Sequence, residues 1–190
     1  MIKAVIFDCF GVLTTDGWKQ IREEYFAHDE KLLQHSFDID RAVNAGMMEY
    51  DDFIAEISHT TGLSIAEVSR RLNGSAPNNM LFEFIRDALK KDYKIGLLSN
   101  AAANWLDELF EPWQVELFDE TVLSFEAGTV KPDPRMYQMI TNKLGVTPGE
   151  CLFIDDSERY CTAAEELGII GIYHQDTHDT IAKIKERLHA

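Results

Sequence analysis

Ile2 to Phe7 is a short β-branched and aromatic run that ends on a single carboxylate, Asp8. No other stretch restricts the fold as much. A run of this kind reads as a strand covered on both faces. Gly11 follows three residues after Asp8, where the chain must turn sharply. Open α/β sheets bind ligands in the crevice beyond the carboxyl ends of their strands. Asp8 is therefore expected where chemistry happens, and a carboxylate buried there needs a partner. Read alone, Asp8 could instead cap the next turn, so the later strands decide.

From Asn79 onward helix and strand alternate regularly. MLFEFIRDALKKD is an amphipathic helix with Lys90 and Lys91 near its C-terminus, and KIGLLSN, residues 94 to 100, is a second buried strand. AAANWLDELF reads as a helix and ETVLS, residues 120 to 124, as a short strand. A loop with Gly128 and Lys131-Pro132-Asp133-Pro134 leads into a helix around Met136 to Leu144. CLFIDD, residues 151 to 156, is a third buried strand, and it ends on two carboxylates. A helix over 158 to 167, a last strand over 169 to 174 and a closing helix over 177 to 188 complete the chain. Strands separated by helices of this length imply an α/β fold, a doubly wound parallel sheet.

Residues 15 to 77 interrupt that pattern. Ile21, Tyr25 and Phe26, then Leu32 and Leu33, then Phe53, Ile54 and Ile57, then Leu63, Ile65, Val68 and Leu72 recur at helical spacing. Ser64 reads as an N-cap with Glu67 completing a capping box, and Asn73-Gly74 ends the last helix. The expected organisation is an α/β core of residues 1–14 and 78–190 with a helical cap of about four short helices over 15–77. NGSAPNN, residues 73 to 79, is the expected return linker.

Charge narrows the partners. Asp and Glu number 33 against 18 Lys and Arg, a net charge of -15, and this field disfavours nucleic acid and anionic membrane surfaces. No run approaches the length of a membrane span, and Asp8 interrupts the N-terminal apolar stretch, against a signal peptide. Three cysteines, Cys9, Cys151 and Cys161, lack metal-ligand spacing and fit reduced thiols in a cytoplasmic protein. An anionic substrate would have to be held by local features.

Those features are at the strand ends. Asp8, Ser99-Asn100, Lys131 and Asp155-Asp156 fall on one edge of a parallel sheet. Asp8 and Asp155 or Asp156 supply hard oxygen ligands for Mg²⁺. The Ser99 hydroxyl and the Asn100 backbone N–H can hold a phosphate oxygen, and Lys131 balances an ionised Asp8. A carboxylate so paired serves as a nucleophile that forms an acyl phosphate.

FDCFGVLT, LLSN, VKPDPRMY and FIDDSERYCTAAEELGI resemble, in order and spacing, the four motifs of the haloacid dehalogenase superfamily. The resemblance covers most of the chain, and the insert after the first motif is similar to the family's small helical cap. It implies Asp8 as nucleophile, Ser99 as phosphoryl ligand with Asn100 and Gly11 beside it, and Lys131 as the orienting cation. It also implies Mg²⁺ held by Asp8, the backbone carbonyl of Phe10, Asp155 and Asp156. The implied substrate is a small phosphorylated metabolite, and the implied assembly a monomer or homodimer.

Two positions depart from the pattern. The family's phosphatases carry a second Asp two residues after the nucleophile, which protonates the leaving oxygen and then activates water; here the position is Phe10. Losing a general acid/base removes about 10²- to 10⁴-fold in rate. A slow phosphatase, or a protein that kept the fold to bind a ligand or partner, are the resulting expectations. Tyr160 stands where the family often has Asn. An aromatic at position 10 also resembles the metal-free haloacid dehalogenases, but Asp155-Asp156 is a pair they do not need. The arginine nearest the first motif, to hold a substrate carboxylate, is Arg22 in the cap. Asp16, His28 and His35 are candidate substitutes for the missing acid. Cys9 is expected on the opposite strand face from Asp8, as a core thiol open to oxidation if partly exposed. Trp105, Trp113, Phe110 and Phe118 are read as packing.

Overall fold

The computed structural model describes residues 1–74 and 76–189; Ser75, in the expected return linker, lies outside the described residues. Strands β1 (Ala4–Phe7), β2 (Lys94–Ser99), β3 (Glu120–Leu123), β4 (Cys151–Asp155) and β5 (Ile170–Tyr173) form one parallel sheet in the order β3-β2-β1-β4-β5. The chain builds outward from β1 through β2 to β3, then returns to add β4 and β5 on the other side. Strand order thus reverses beside β1, which is where such sheets open a crevice. Phe7 is in register with both Leu97 and Ile154, so Asp8 emerges between the ends of β2 and β4.

Alternation along β1 divides its side chains between two cores. Val5, Phe7 and Cys9 join a cluster with Leu81, Phe82 and Ile184, while Ala4 and Ile6 join one with Met136, Tyr137 and Ala164. The first cluster is covered by α5 (Asn79–Phe84) and α11 (Thr177–His189), the second by α9 (Pro134–Leu144) and α10 (Glu158–Glu166). Cys9 is indeed on the face opposite Asp8. It is only 2% exposed, and burial, with Asp8 adding, pushes its thiol well above the usual range. A neutral, enclosed thiol is not an oxidation site.

Between β1 and α5 lie α1 (Gly17–Tyr25), α2 (Glu30–Asn44), α3 (Tyr50–Thr61) and α4 (Ile65–Asn73). They enclose their own apolar cluster, in which Trp18 meets Phe26 and Phe53 edge-on at 5.4 and 5.2 Å. Asp16, Asp29 and Ser64 cap α1, α2 and α4 by accepting backbone N–H bonds. The capping box does not close: the Glu67 carboxylate pairs with Arg70 at 2.6 Å and Arg71 at 2.9 Å instead of reaching back to Ser64. The chain enters and leaves this segment through an antiparallel bridge between Thr14 and Pro77, and Thr15 N–H donates to the Ala76 carbonyl at 3.2 Å.

After β2 the sequence pattern misleads. Only α6 (Leu106–Leu109) is helical within the stretch 101–110, with α7 (Pro112–Val115) following. Ala101 is tied elsewhere: its N–H donates to Ser124 Oγ at 2.9 Å, and its carbonyl accepts from that hydroxyl at 3.1 Å. Those tertiary bonds replace the i→i−4 ladder that a helix would need. Ser124 opens a short α8 (Ser124–Ala127) where a loop is expected, and the helix after α5 widens to a π-helical turn over Ile85–Leu89. No helix among the described residues is long and apolar enough to cross a membrane.

Candidate active site

The strand ends bring four charged side chains together. Lys131 Nζ lies 2.7 Å from Asp8 Oδ1 and 2.7 Å from Asp155 Oδ2, and the lysine is 2% exposed. The faces of Phe153 and Tyr160 lie 5.5 and 5.2 Å from the same ammonium. The loop that carries Lys131 is held by Asn100, whose Oδ1 accepts the Lys131 N–H at 2.7 Å and whose Nδ2 donates to the Lys131 carbonyl at 3.2 Å. Asp8 Oδ1 also accepts the Cys9 N–H at 2.7 Å, and Asp155 Oδ1 accepts the Ser157 N–H at 2.8 Å.

Burial is the largest influence on each of these groups. It pushes the Asp8 carboxyl well above the usual range, opposed by Lys131 and reinforced by Asp155 and Asp156. Asp155 moves the same way, again with burial first and Lys131 opposing. Burial alone would lower Lys131, but the carboxylates of Asp155 and Asp8 outweigh it and keep the ammonium charged. One buried lysine thus serves Asp8 and Asp155, and Asp156 is also at hand: oxygens of Asp8, Asp155 and Asp156 all lie within 4.8 Å of one another. A cluster of hard oxygens of this kind fits a small divalent cation.

Gly11 makes that crowding sterically feasible. It has φ +82°, and a Cβ built there would collide with Asp156 Oδ2. The Asp156 carboxylate is therefore laid directly over the turn that follows Asp8. Its Oδ2 accepts a bond from Lys19 Nζ of α1 at 2.6 Å, a contact between residues 137 positions apart that no local pattern announces.

Above this floor is a cavity of about 710 Å³, bordered by Asp8, Phe10, Asn100, Lys131, Asp156 and Tyr160 below and by α1–α4 above. Ser99 does not border it. Its hydroxyl is buried beside Cys9 and Phe10, with the Asn100 carbonyl at 3.4 Å as its contact. Asn100 is the residue that the end of β2 presents. Trp105, read from sequence as packing, borders the cavity and meets Tyr50 of α3 at 5.1 Å. Tyr160, which departs from the family's usual Asn, covers Lys131. Asp16 borders the cavity while capping α1, and burial raises its carboxyl. Neither His28 nor His35 borders it; His35 faces Glu56 on the outside of the helices at 2.7 Å.

Asp40 of α2 also borders the cavity, and burial raises its carboxyl to about 6, with Arg22 opposing and Asp16 adding. A carboxyl whose folded value exceeds its unfolded one destabilises the fold once pH passes the unfolded value, fully so above the folded one. Asp40→Asn is therefore expected to leave Tm unchanged at pH 3.5 to 4 and to raise it by a few degrees above pH 6. Thermal denaturation at both ends of that window checks the sign.

Residues 2–168 match the haloacid dehalogenase-like hydrolase family, and the chain belongs to it. It is a hydrolase with the family's parallel α/β core. Over 97% of this chain and 95% of its own length, a sesquiterpene phosphatase from Aspergillus oryzae is 24% identical. An (S)-2-haloacid dehalogenase from Xanthobacter autotrophicus is 28% identical over 88% of this chain and 73% of its own. Among solved structures, a family enzyme from Bacteroides thetaiotaomicron in complex with magnesium and inorganic phosphate superimposes with a TM-score of 0.68. It is 26% identical, with 92% of this chain and 95% of that one covered.

Proposed function

We propose that this chain is a Mg²⁺-dependent phosphatase of small phosphate monoesters that works through an aspartyl-phosphate on Asp8, beneath a cap formed by residues 15–77. The observation that carries this reading is the Lys131 bridge between Asp8 and Asp155, with Asp156 within 4.8 Å, at the switch point of the sheet. Asp8, Asp155, Asp156 and the Phe10 carbonyl would hold the ion, which would neutralise phosphoryl oxygens and favour the ionised form of Asp8. Asp8 attacks phosphorus; Oδ1 is fixed by Lys131 and the Cys9 N–H, which aims the carboxylate toward the cavity. Lys131 supplies positive charge where charge builds up on the transferring group. The phosphoryl group is received by the Asn100 backbone N–H and by Ser99 after rotation about its χ1. Helices α1–α4 close the site against water. The three cysteines are free and buried, in keeping with a reducing cytoplasm.

A second reading has one observation in its favour. Arg22 borders the same cavity, so the guanidinium that a haloacid dehalogenase needs for a carboxylate is within reach of the site. The two reactions are separated by one assay. Phosphate release from 4-nitrophenyl phosphate with Mg²⁺, abolished by EDTA, together with no chloride release from 2-chloropropionate, is the expected result. Chloride without phosphate would replace the phosphatase with the dehalogenase.

Lys19 bears on the metal. Its ammonium occupies Asp156 Oδ2 at 2.6 Å, although the lysine is 45% exposed, and a cation entering the site must displace it. An exposed pair of this kind is worth up to about 1 kcal/mol. Lys19→Met is therefore expected to tighten Mg²⁺ binding about two- to fivefold, read by calorimetric titration without substrate.

A further inference from the structure

Two observations converge on the kind of ester this site takes; the inference rests on the phosphatase reading above. The first is the missing proton donor. Phe10 packs its ring against the apolar cluster on the β1–β2 face and borders the cavity. A phenyl ring neither protonates a departing oxygen nor takes a proton from water. The nearest ionisable groups already have structural partners: Asp16 Oδ1 caps α1 by accepting the Lys19 N–H at 2.9 Å, Asp40 Oδ1 accepts from Asn44 Nδ2 at 3.0 Å, and Lys131 lies between Asp8 and Asp155. An ester whose oxygen departs as a stable anion needs no proton from the position that Phe10 fills. Phenols form stable anions; sugar hydroxyls and simple alcohols do not.

The second observation is the wall. Above the charged floor the rings of Phe37, Tyr50 and Trp105 border the cavity, with Trp18 and Phe53 of the cap's buried cluster behind them. Phe37 is 46% exposed, and Arg22 lies over Phe37 and Trp18 at 4.9 and 5.2 Å. A cavity of this size encloses a drug-sized molecule, and rings of this kind stack on planar apolar bodies. A compact polar ester would leave the rings facing water.

The geometry points to an aryl phosphate, the monoester of a phenol on an extended aromatic body, as the substrate class of this enzyme. Asp8 forms a bond to phosphorus as the phosphorus–oxygen bond to the ring breaks, and the electron pair leaves on the phenolate, which takes its proton from solvent. Water then attacks the acyl phosphate. The bond between phosphorus and Asp8 breaks, the carboxylate is restored, and inorganic phosphate leaves with the water's proton passing to solvent.

The test is kcat/KM of the wild-type enzyme with Mg²⁺ for phenyl phosphates of graded phenol acidity, 2-naphthyl phosphate, hexyl phosphate and glucose 6-phosphate. This quantity covers events up to departure of the leaving group, so a slow second step does not enter it. A steep fall with decreasing phenol acidity is expected, with hexyl phosphate and glucose 6-phosphate at least about 10²-fold below phenyl phosphate. Phe37→Ala, at a wall position open to solvent, is expected to raise KM for 2-naphthyl phosphate about tenfold and for phenyl phosphate by less. A flat acidity dependence, or glucose 6-phosphate on a par with phenyl phosphate, overturns the aryl assignment and leaves a phosphatase standing. No phosphate from any ester, the nitrophenyl one included, overturns the phosphatase reading and this inference with it.

Discussion

Asp8→Asn is expected to abolish phosphate release, lowering kcat by on the order of 10⁴-fold or more, as removal of a nucleophile does elsewhere. The amide keeps the shape of the carboxylate and can still accept from Lys131 and the Cys9 N–H through its oxygen. It cannot form the acyl phosphate. The substitution should cost nothing in stability. Burial raises the Asp8 carboxyl, so the ionised group is a burden on the fold above its unfolded value, and that burden grows as pH rises toward the raised folded value. Removing it leaves Tm at neutral pH equal or higher. Loss of turnover with Tm preserved, measured on the same preparation, separates a chemical role from a structural one. Turnover that survives in Asp8→Asn would sink the aspartyl-phosphate mechanism.

Phe10→Asp is expected to act in the opposite direction. A carboxyl two residues beyond Asp8 supplies the absent acid, and general acid/base catalysis contributes about 10²- to 10⁴-fold. The gain should be largest for sugar and alkyl phosphates, whose leaving oxygens need the proton most, and small for nitrophenyl phosphate. Some stability is lost, because the Phe10 ring packs on the β1–β2 cluster. A wild type silent toward every ester beside an active Phe10→Asp variant would mark a protein that retains the site for binding without turnover. No gain for any ester would mean that another cavity group, with Asp16 the first to examine by Asp16→Asn, already donates the proton.

The parts of this site that the sequence discloses are those encoded locally. Each of β1, β2 and β4 is a short apolar run, and a polar residue at or just past its end borders the crevice: Asp8, Asn100, Asp156. Lys131 is legible through the KPDP segment around it. What stays hidden depends on groups far apart in the chain. Lys19 meets Asp156 only once α1 is laid beside β4. Ala101 leaves the helical path because Ser124 takes its backbone bonds, and helical periodicity carries no trace of that hydroxyl. Trp105 reads as packing from its own neighbours, and only the position of Tyr50 turns it into a cavity wall. Ser99 errs in the other direction: the motif names it, while the rotamer buries it.

The bridge between Thr14 and Pro77 brings the two ends of the helical segment side by side. The sheet is therefore indifferent to what is spliced in at that point, whether long or short, because the core chain resumes where it left off. Asp8, Lys131, Asp155 and Asp156 all come from outside the spliced stretch, and nearly all the aromatic wall comes from inside it. On the proposed reading, the groups that react and the groups that select thus come from separable parts of the chain. The inserted helices could be exchanged, and with them the shape of the cavity, without moving the carboxylates proposed to do the chemistry.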